Sequence, residues 1–248
     1  MTESLVCSGW IRYKERAAGW DANTRRDDDM ARQTVSVLLL SLLVFSYGCA
    51  TTGYERAART RREIDRARAA TMSAQHEAYA AGRALQNLNS QETTDLRPAY
   101  QNYSGAVNDL SIQVDKLTNY SAEVQKLGNT YVEVWEKQLP TYQRSEIRSV
   151  SAERRAQVIE SFQKLNAQFR ATQQSLRTLL VDLDDMRRYL STDLTASGVA
   201  SAREQSDRIV TRAAEAHQQL QSLVAELNRV DAELSPIRPA KQESAATK

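Results

Sequence analysis

The sequence predicts an all-α fold, an elongated antiparallel bundle of four long helices with coiled-coil-like heptad seams. Three observations carry that expectation. Gly and Pro number only 8 and 4 in 248 residues, too few to reverse the strands of a sheet protein this long. Charged residues are 26% and aromatics only 6%, and much of the rest is Ala, Gln, Ser, Thr and Leu, a composition that suits long helices. Over long stretches the apolar residues recur at alternating steps of four and three, the period of a helix face buried against other helices.

The elements are preceded by a short apolar run, Val35 to Phe45. A membrane-spanning helix needs about 20 apolar residues, so this run is too short to cross a bilayer. Behind Met30-Ala31-Arg32-Gln33-Thr34 it reads as the core of a signal peptide over residues 30–48. Ser46-Tyr47-Gly48-Cys49 resembles the lipobox of bacterial lipoproteins, in which the chain is cut before a cysteine that is then acylated. Gly48 fits that pattern; Ser46, where Leu usually stands, and Tyr47, bulkier than usual, depart from it. The expectation is cleavage between Gly48 and Cys49 and lipid attachment at Cys49, an anchor made durable by two or three acyl chains. Ala50, rather than Asp, follows the cysteine, and the resemblance to enterobacterial lipoproteins then implies an outer-membrane, periplasm-facing location. Residues 1–29 are polar and mixed in charge, with Trp10 and Trp20; they are expected to be a mis-assigned start, with translation from Met30, and to be disordered.

The helical domain is expected over 49–234. A first, weaker helix runs from Tyr54 to Leu88, its large apolar residues limited to Ile64, Met72, Tyr79, Leu85 and Leu88 with Ala between, so that it is either a thin element or frayed near the anchor. The second is expected to be capped by Asp95, with Pro98 in the tolerant first turn, and to carry a seam from Leu96 through Tyr103, Leu110, Leu117, Ser121, Gly128 and Tyr131 to Trp135. Pro140 ends it. The third opens at Ser151 with Glu153 in its first turn and buries Val158, Phe162, Leu165, Phe169, Thr172, Leu176, Leu179, Leu183, Met186 and Leu190. Thr195 or Ser197 begins the fourth, whose seam runs from Val199 to Leu234, with Pro236 just past its end. Short connectors force neighbouring helices to run antiparallel. Residues 235–248 read as a disordered tail.

With those helices placed, the chain resembles an uncharacterised family of proteobacterial helical lipoproteins, known as a domain of unknown function. The residues that carry the likeness are Arg61-Arg62-Glu63-Ile64, the stretch Tyr131 to Leu139 (YVEVWEKQL) and the stretch Arg187 to Ala196 (RRYLSTDLTA). The resemblance implies a helical fold and a lipid anchor; the family has no established activity, and the function is left open.

Chemistry-bearing constellations are sparse. Lys plus Arg is 33 against 31 acidic residues, a net +2, without the basic excess of a nucleic-acid binder. No Gly-x-x-x-x-Gly-Lys-Ser/Thr phosphate loop, nucleophile elbow or metal-ligand spacing occurs. His76 and His217 read as solvated helix-face residues, and Asp182, Asp184 and Asp185 as ordinary partners of Arg187 and Arg188. The expectation is therefore no enzyme, no cofactor and no metal. Arg56, Arg59, Arg61 and Arg62, just after the anchor, are candidates for contact with anionic headgroups. The expected function is a structural or protein-interaction role in the cell envelope, through an unidentified envelope protein. The alternative is a periplasmic carrier of lipid or amphiphile, with a pocket near Ser121 and Gly128. Homo-oligomerisation along the thin first helix is a further expectation.

Overall fold

A computed structural model describes residues 52–91 and 95–236. The expectations for 1–29, the signal peptide, Gly48, Cys49 and nearly all of the tail fall outside the described residues. Those described form an all-α bundle. Its helices are α1 (Gly53–Asn89), α2 (Arg97–Gln138), α3 (Ser145–Thr192), the short α4 (Ala196–Ser201) and α5 (Arg203–Leu234), with a 3-10 turn at Leu139–Thr141. The four long helices close a ring in which α1 packs on α2 and α5, and α3 packs on α2 and α5. Cross-helix bonds fix the direction of each neighbour. Arg61 meets Asp231 while Gln75 meets His217, and Tyr103 meets Leu183 while Trp135 meets Ser151. Arg154 meets Glu233 while Asp182 meets Arg212, and Arg56 near the start of α1 meets Gln138 at the end of α2; rising numbers on one helix face falling numbers on the next, so all four neighbours are antiparallel. At 1.5 Å per residue the 48 residues of α3 span ~72 Å.

Each large-residue seam is the core. Every seam position expected on the third helix is buried, from Val158 to Leu190, and so is every one expected on the fourth. On α2 the seam is buried from Tyr103 to Gly128, and Tyr100, Tyr131 and Trp135 close its ends half-buried. The Tyr103 hydroxyl, inside the core, donates to the Leu183 carbonyl at 2.6 Å. Burial pushes the Tyr103 phenol well above its ordinary value. Since the unfolded chain releases that proton at about pH 10, the folded state is favoured fully below that value and loses stability as pH rises through and beyond it. Unfolding by urea at rising alkaline pH should show this loss, and Tyr103→Phe should flatten it while costing about 1 kcal/mol at neutral pH for the lost hydrogen bond.

The first helix differs from its expected form. Met72 and Tyr79 lie on the outside, 56% and 53% exposed. The buried face is instead Ala57, Thr60, Ile64, Ala67, Thr71, Ala74, Ala78, Ala81, Leu85 and Leu88. Those positions step by three and four without a break, a complete heptad seam built from small residues. Short side chains bring α1 close to both neighbours; a Cβ placed on Gly82 would sit 2.8 Å from that of Ala213 on α5. The buried threonines satisfy themselves, Thr60 on the Arg56 carbonyl at 3.0 Å and Thr71 on that of Ala67 at 2.7 Å. The start of α1 is not frayed. Thr52 and Glu55 form a reciprocal capping box, closing two of the orphan amides of the first turn.

Three boundaries also differ. The third helix begins at Ser145, six residues before Ser151, whose hydroxyl instead accepts from the Trp135 indole at 2.8 Å. No Gly or Pro falls between 145 and 192, so nothing local stops the helix earlier. The expected Asp95 cap lies one residue outside the helix as bounded, with Leu96 at the cap position. Its carboxylate still accepts from the Arg97 amide at 3.0 Å. The last helix is interrupted at Ala202, so that Thr195 caps only the short α4, accepting from the Gly198 amide at 3.0 Å. Gly198 is required there: a Cβ would fall 2.6 Å from the Asp193 carbonyl oxygen.

Candidate functional site

One end of the bundle carries the start of α1 and, in its first turns, Arg56, Arg59, Arg61 and Arg62. Arg56 near the start of α1 donates to Gln138 at the end of α2 at 3.4 Å. On the opposite side of the ring Arg154 of α3 reaches Glu233 near the end of α5 at 2.9 Å, and Arg155 pairs with Glu136. The first turn of α1, the α2–α3 corner and the end of α5 therefore share one end. Thr52, the cap of α1, follows Cys49 by three residues, which at full extension spans no more than ~11 Å.

The four arginines of that first stretch have different fates. Arg61 is committed to α5: its guanidinium donates to both Asp231 oxygens, at 2.7 and 3.2 Å, and that bond raises its already high pKa. Arg56 is half-buried and engaged with Gln138. Arg59 and Arg62 are exposed, one turn apart on the outer face, and no ion pair to either occurs among the described residues. Of the proposed headgroup cations, Arg59 and Arg62 are therefore the pair presented to solvent. Cys49 and Gly48 lie outside the described residues.

The positions offered as a ligand pocket are filled. A Cβ on Gly128 would meet the Phe162 ring at 2.9 Å, so that ring already occupies the space beside it. The Ser121 hydroxyl donates to the Thr118 carbonyl at 2.8 Å and accepts from Gln173 at 2.6 Å. Beside Gly128 a surface cleft of about 210 Å³ remains, bordered by Val132, Ile159 and Gln163. A larger cleft of about 440 Å³ lies between α3 and α5 near the α4 corner, lined by Met186, Tyr189 and Ile209 and rimmed by Asp182, Arg208 and Arg212.

Several other titratable residues tie the bundle together. Asp184 holds Arg187 and, at 2.6 Å, Arg188, while Asp182 reaches across to Arg212 of α5. His76 is exposed, as expected of a helix-face residue. His217 is not free in solvent: it is half-buried between α1 and α5, its ring 5.7 Å from that of Tyr79 and its nitrogens 3.2–3.3 Å from Gln75 and Gln221. Sequence reasoning missed this contact because the partners lie far apart in the chain. Among the described residues there is no group of His, Cys, Asp or Glu able to hold a metal, and no helix long and apolar enough to cross a membrane.

A family model described as "Protein of unknown function (DUF2959)" matches residues 47–234. No curated protein and no solved structure matches the chain. The matched span begins two residues before Cys49 and ends at the last residue of α5.

Proposed function

Because the chain belongs to the DUF2959 family, whose description assigns no activity, we propose from the residues themselves that it is a lipid-anchored protein of the bacterial envelope with a structural or protein-interaction role. The observation that carries this reading is the adjacency of two features. A lipobox-like Ser46-Tyr47-Gly48-Cys49 is followed, three residues after its cysteine, by a capping box that starts a 37-residue helix. An acyl anchor there would be coupled to a stiff bundle through Ala50 and Thr51 alone, an arrangement suited to holding a surface at a fixed distance from a membrane. Ala50 supports an outer-membrane, periplasm-facing location by analogy with enterobacterial sorting. Of the side chains that could have suggested catalysis, Asp184 is paired within its own helix while Asp182 and His217 are engaged across helices, which supports a non-enzymatic role.

A partner would dock on the outer faces, where Met72, Ile112 and Val181 are 51–60% exposed. Photo-crosslinking in intact cells from these three positions tests the role. The expected result is a discrete adduct, with an envelope protein or with a second copy, reproducibly from one face. Absence of any adduct, together with stoichiometric lipid released from the purified protein beyond its own acyl groups, would contradict the interaction role and favour a carrier.

A further inference from the structure

We propose that the tip formed by the α2–α3 corner and the first turns of α3 is a second membrane contact, which seats Ile147 and Val150 in the interface of an anionic phospholipid surface. The proposal rests on the lipoprotein reading above and deepens it.

The geometry begins with unequal helix ends. Glu233, at the end of α5, is bonded to Arg154 through both its side chain and its carbonyl, each at 2.9 Å. The last turn of α5 is thus level with Arg154, and α3 continues beyond it for nine residues to Ser145. Along that overhang α3 has lost its α5 neighbour, yet its sequence continues the buried face. Ile147, Val150 and Arg154 precede the buried Val158 at helical steps of three and four. Ile147 is 55% exposed and Val150 65%, against 1% for Val158. Among the described residues nothing covers the stripe where it runs out of the bundle.

Charge and position say what covers it. Arg144 and Arg148 stand four residues apart on one flank of the stripe, and Lys137 lies at the same tip. Arg148 also donates to the Tyr142 carbonyl at 2.9 Å, which holds it at the corner. Glu146 and Glu153 share the other flank, seven residues apart, so the two signs are separated around the helix. Exposed apolar side chains bordered by cations match the boundary between acyl chains and anionic headgroups. The same end carries the start of α1, so the overhang is on the side of the molecule where an acylated Cys49 would hold it to a bilayer. A single anchor leaves a rod free to swing; a second contact fixes its tilt.

The test uses the full chain in a Cys7→Ser background, made in a bacterium that processes lipoproteins, with an environment-sensitive fluorophore on Val150→Cys. Val181→Cys, on the same helix but ~46 Å away and equally exposed at 60%, is the control. Acylation of Cys49 is read first, by intact mass. The protein is then reconstituted into vesicles of phosphatidylethanolamine with phosphatidylglycerol, or of phosphatidylcholine alone, each carrying a lipid-borne quencher. The expected result is a blue shift and quenching at position 150 in the anionic vesicles and none at position 181. Arg144→Glu with Arg148→Glu should lower the ratio of quenched to unquenched protein by at least about fivefold per position. An acylated protein whose position 150 behaves like position 181 in both vesicles overturns the second contact and leaves the anchor standing. Equal quenching in phosphatidylcholine overturns the anionic preference. Shielding at 150 in detergent without lipid also overturns the proposal. If it grows with protein concentration the occupant is a second copy, and if it vanishes on truncation after Pro236 it is the chain's own tail. An unmodified Cys49 overturns the lipoprotein reading itself, and the mass distinguishes that case before any vesicle is made.

Discussion

Phe162→Ala should destabilise the bundle by about 3–5 kcal/mol, among the largest effects of any single core substitution. The ring is 4% exposed and fills the hollow that Gly128 leaves on the facing helix. Removing it empties both sides of one layer of the core, and four long helices locked in register by neighbouring layers have little freedom to collapse inward. The partner change makes the test specific. Gly128→Ala alone brings a methyl group to 2.9 Å from the ring, so overpacking should outweigh the roughly 1 kcal/mol that Ala contributes to a helix over Gly. Combined with Phe162→Leu, the same Gly128→Ala should become neutral or stabilising. The coupling between the two positions, read from urea midpoints of the single and double variants, should be about 1–3 kcal/mol. Additive single effects would mean that the two side chains do not share that space.

Cys49→Ser should release the protein from membranes. One acyl chain binds marginally, at about 0.8 kcal/mol per buried methylene, and two or three make the attachment stable. The cations that remain, Arg59 and Arg62 on α1 with those of the α3 tip, contribute only about 1 kcal/mol each near an anionic surface and are screened by salt. The unsubstituted protein should therefore stay with the membrane fraction through a high-salt wash and leave only with detergent, whereas the Cys49→Ser variant should be washed free by salt. Retention of the variant through that wash would place the anchor elsewhere in the chain.

How far the fold can be read from the sequence depended on side-chain size. Leu, Val and Phe at steps of three and four mark the seams of α2, α3 and α5, and those positions are the ones buried. On α1 the same period is present but written in Ala and Thr, which hydropathy does not distinguish from filler. Met72 and Tyr79 drew attention by size alone, and both are exposed. The better signal was Thr52-Gly53-Tyr54-Glu55, a capping-box spacing that fixes the helix start without reference to hydrophobicity. The start of α3 was obscured for the opposite reason. Ser151 and Glu153 have the spacing of a helix start, but the serine is used as an acceptor for Trp135. The interruption at Ala202 has no local marker, since neither Gly nor Pro stands there; it follows from the corner that Tyr189, Asp193 and Gly198 build.

At the candidate site the residue types were legible and their engagement was not. Four arginines within seven residues look equivalent in the sequence. Only the placement of Asp231, 170 residues away, shows that Arg61 serves the bundle while Arg59 and Arg62 face outward. Ser121 and Gly128 likewise read as small residues on a large seam, which leaves open whether the space is empty or filled. Gln173 and Phe162 answer that from the neighbouring helix. The α3 overhang escaped notice altogether, because it is defined by where another helix stops.

The most direct test of the account is the intact mass of the protein purified from membranes of its own host, with peptide mapping of its amino terminus. The expected result is a chain that begins at Cys49 and carries the added mass of a diacylglyceryl group, with or without a third acyl chain. A chain that retains residues upstream of Cys49 and bears an unmodified thiol would contradict the lipid anchor, and with it the envelope role built upon it.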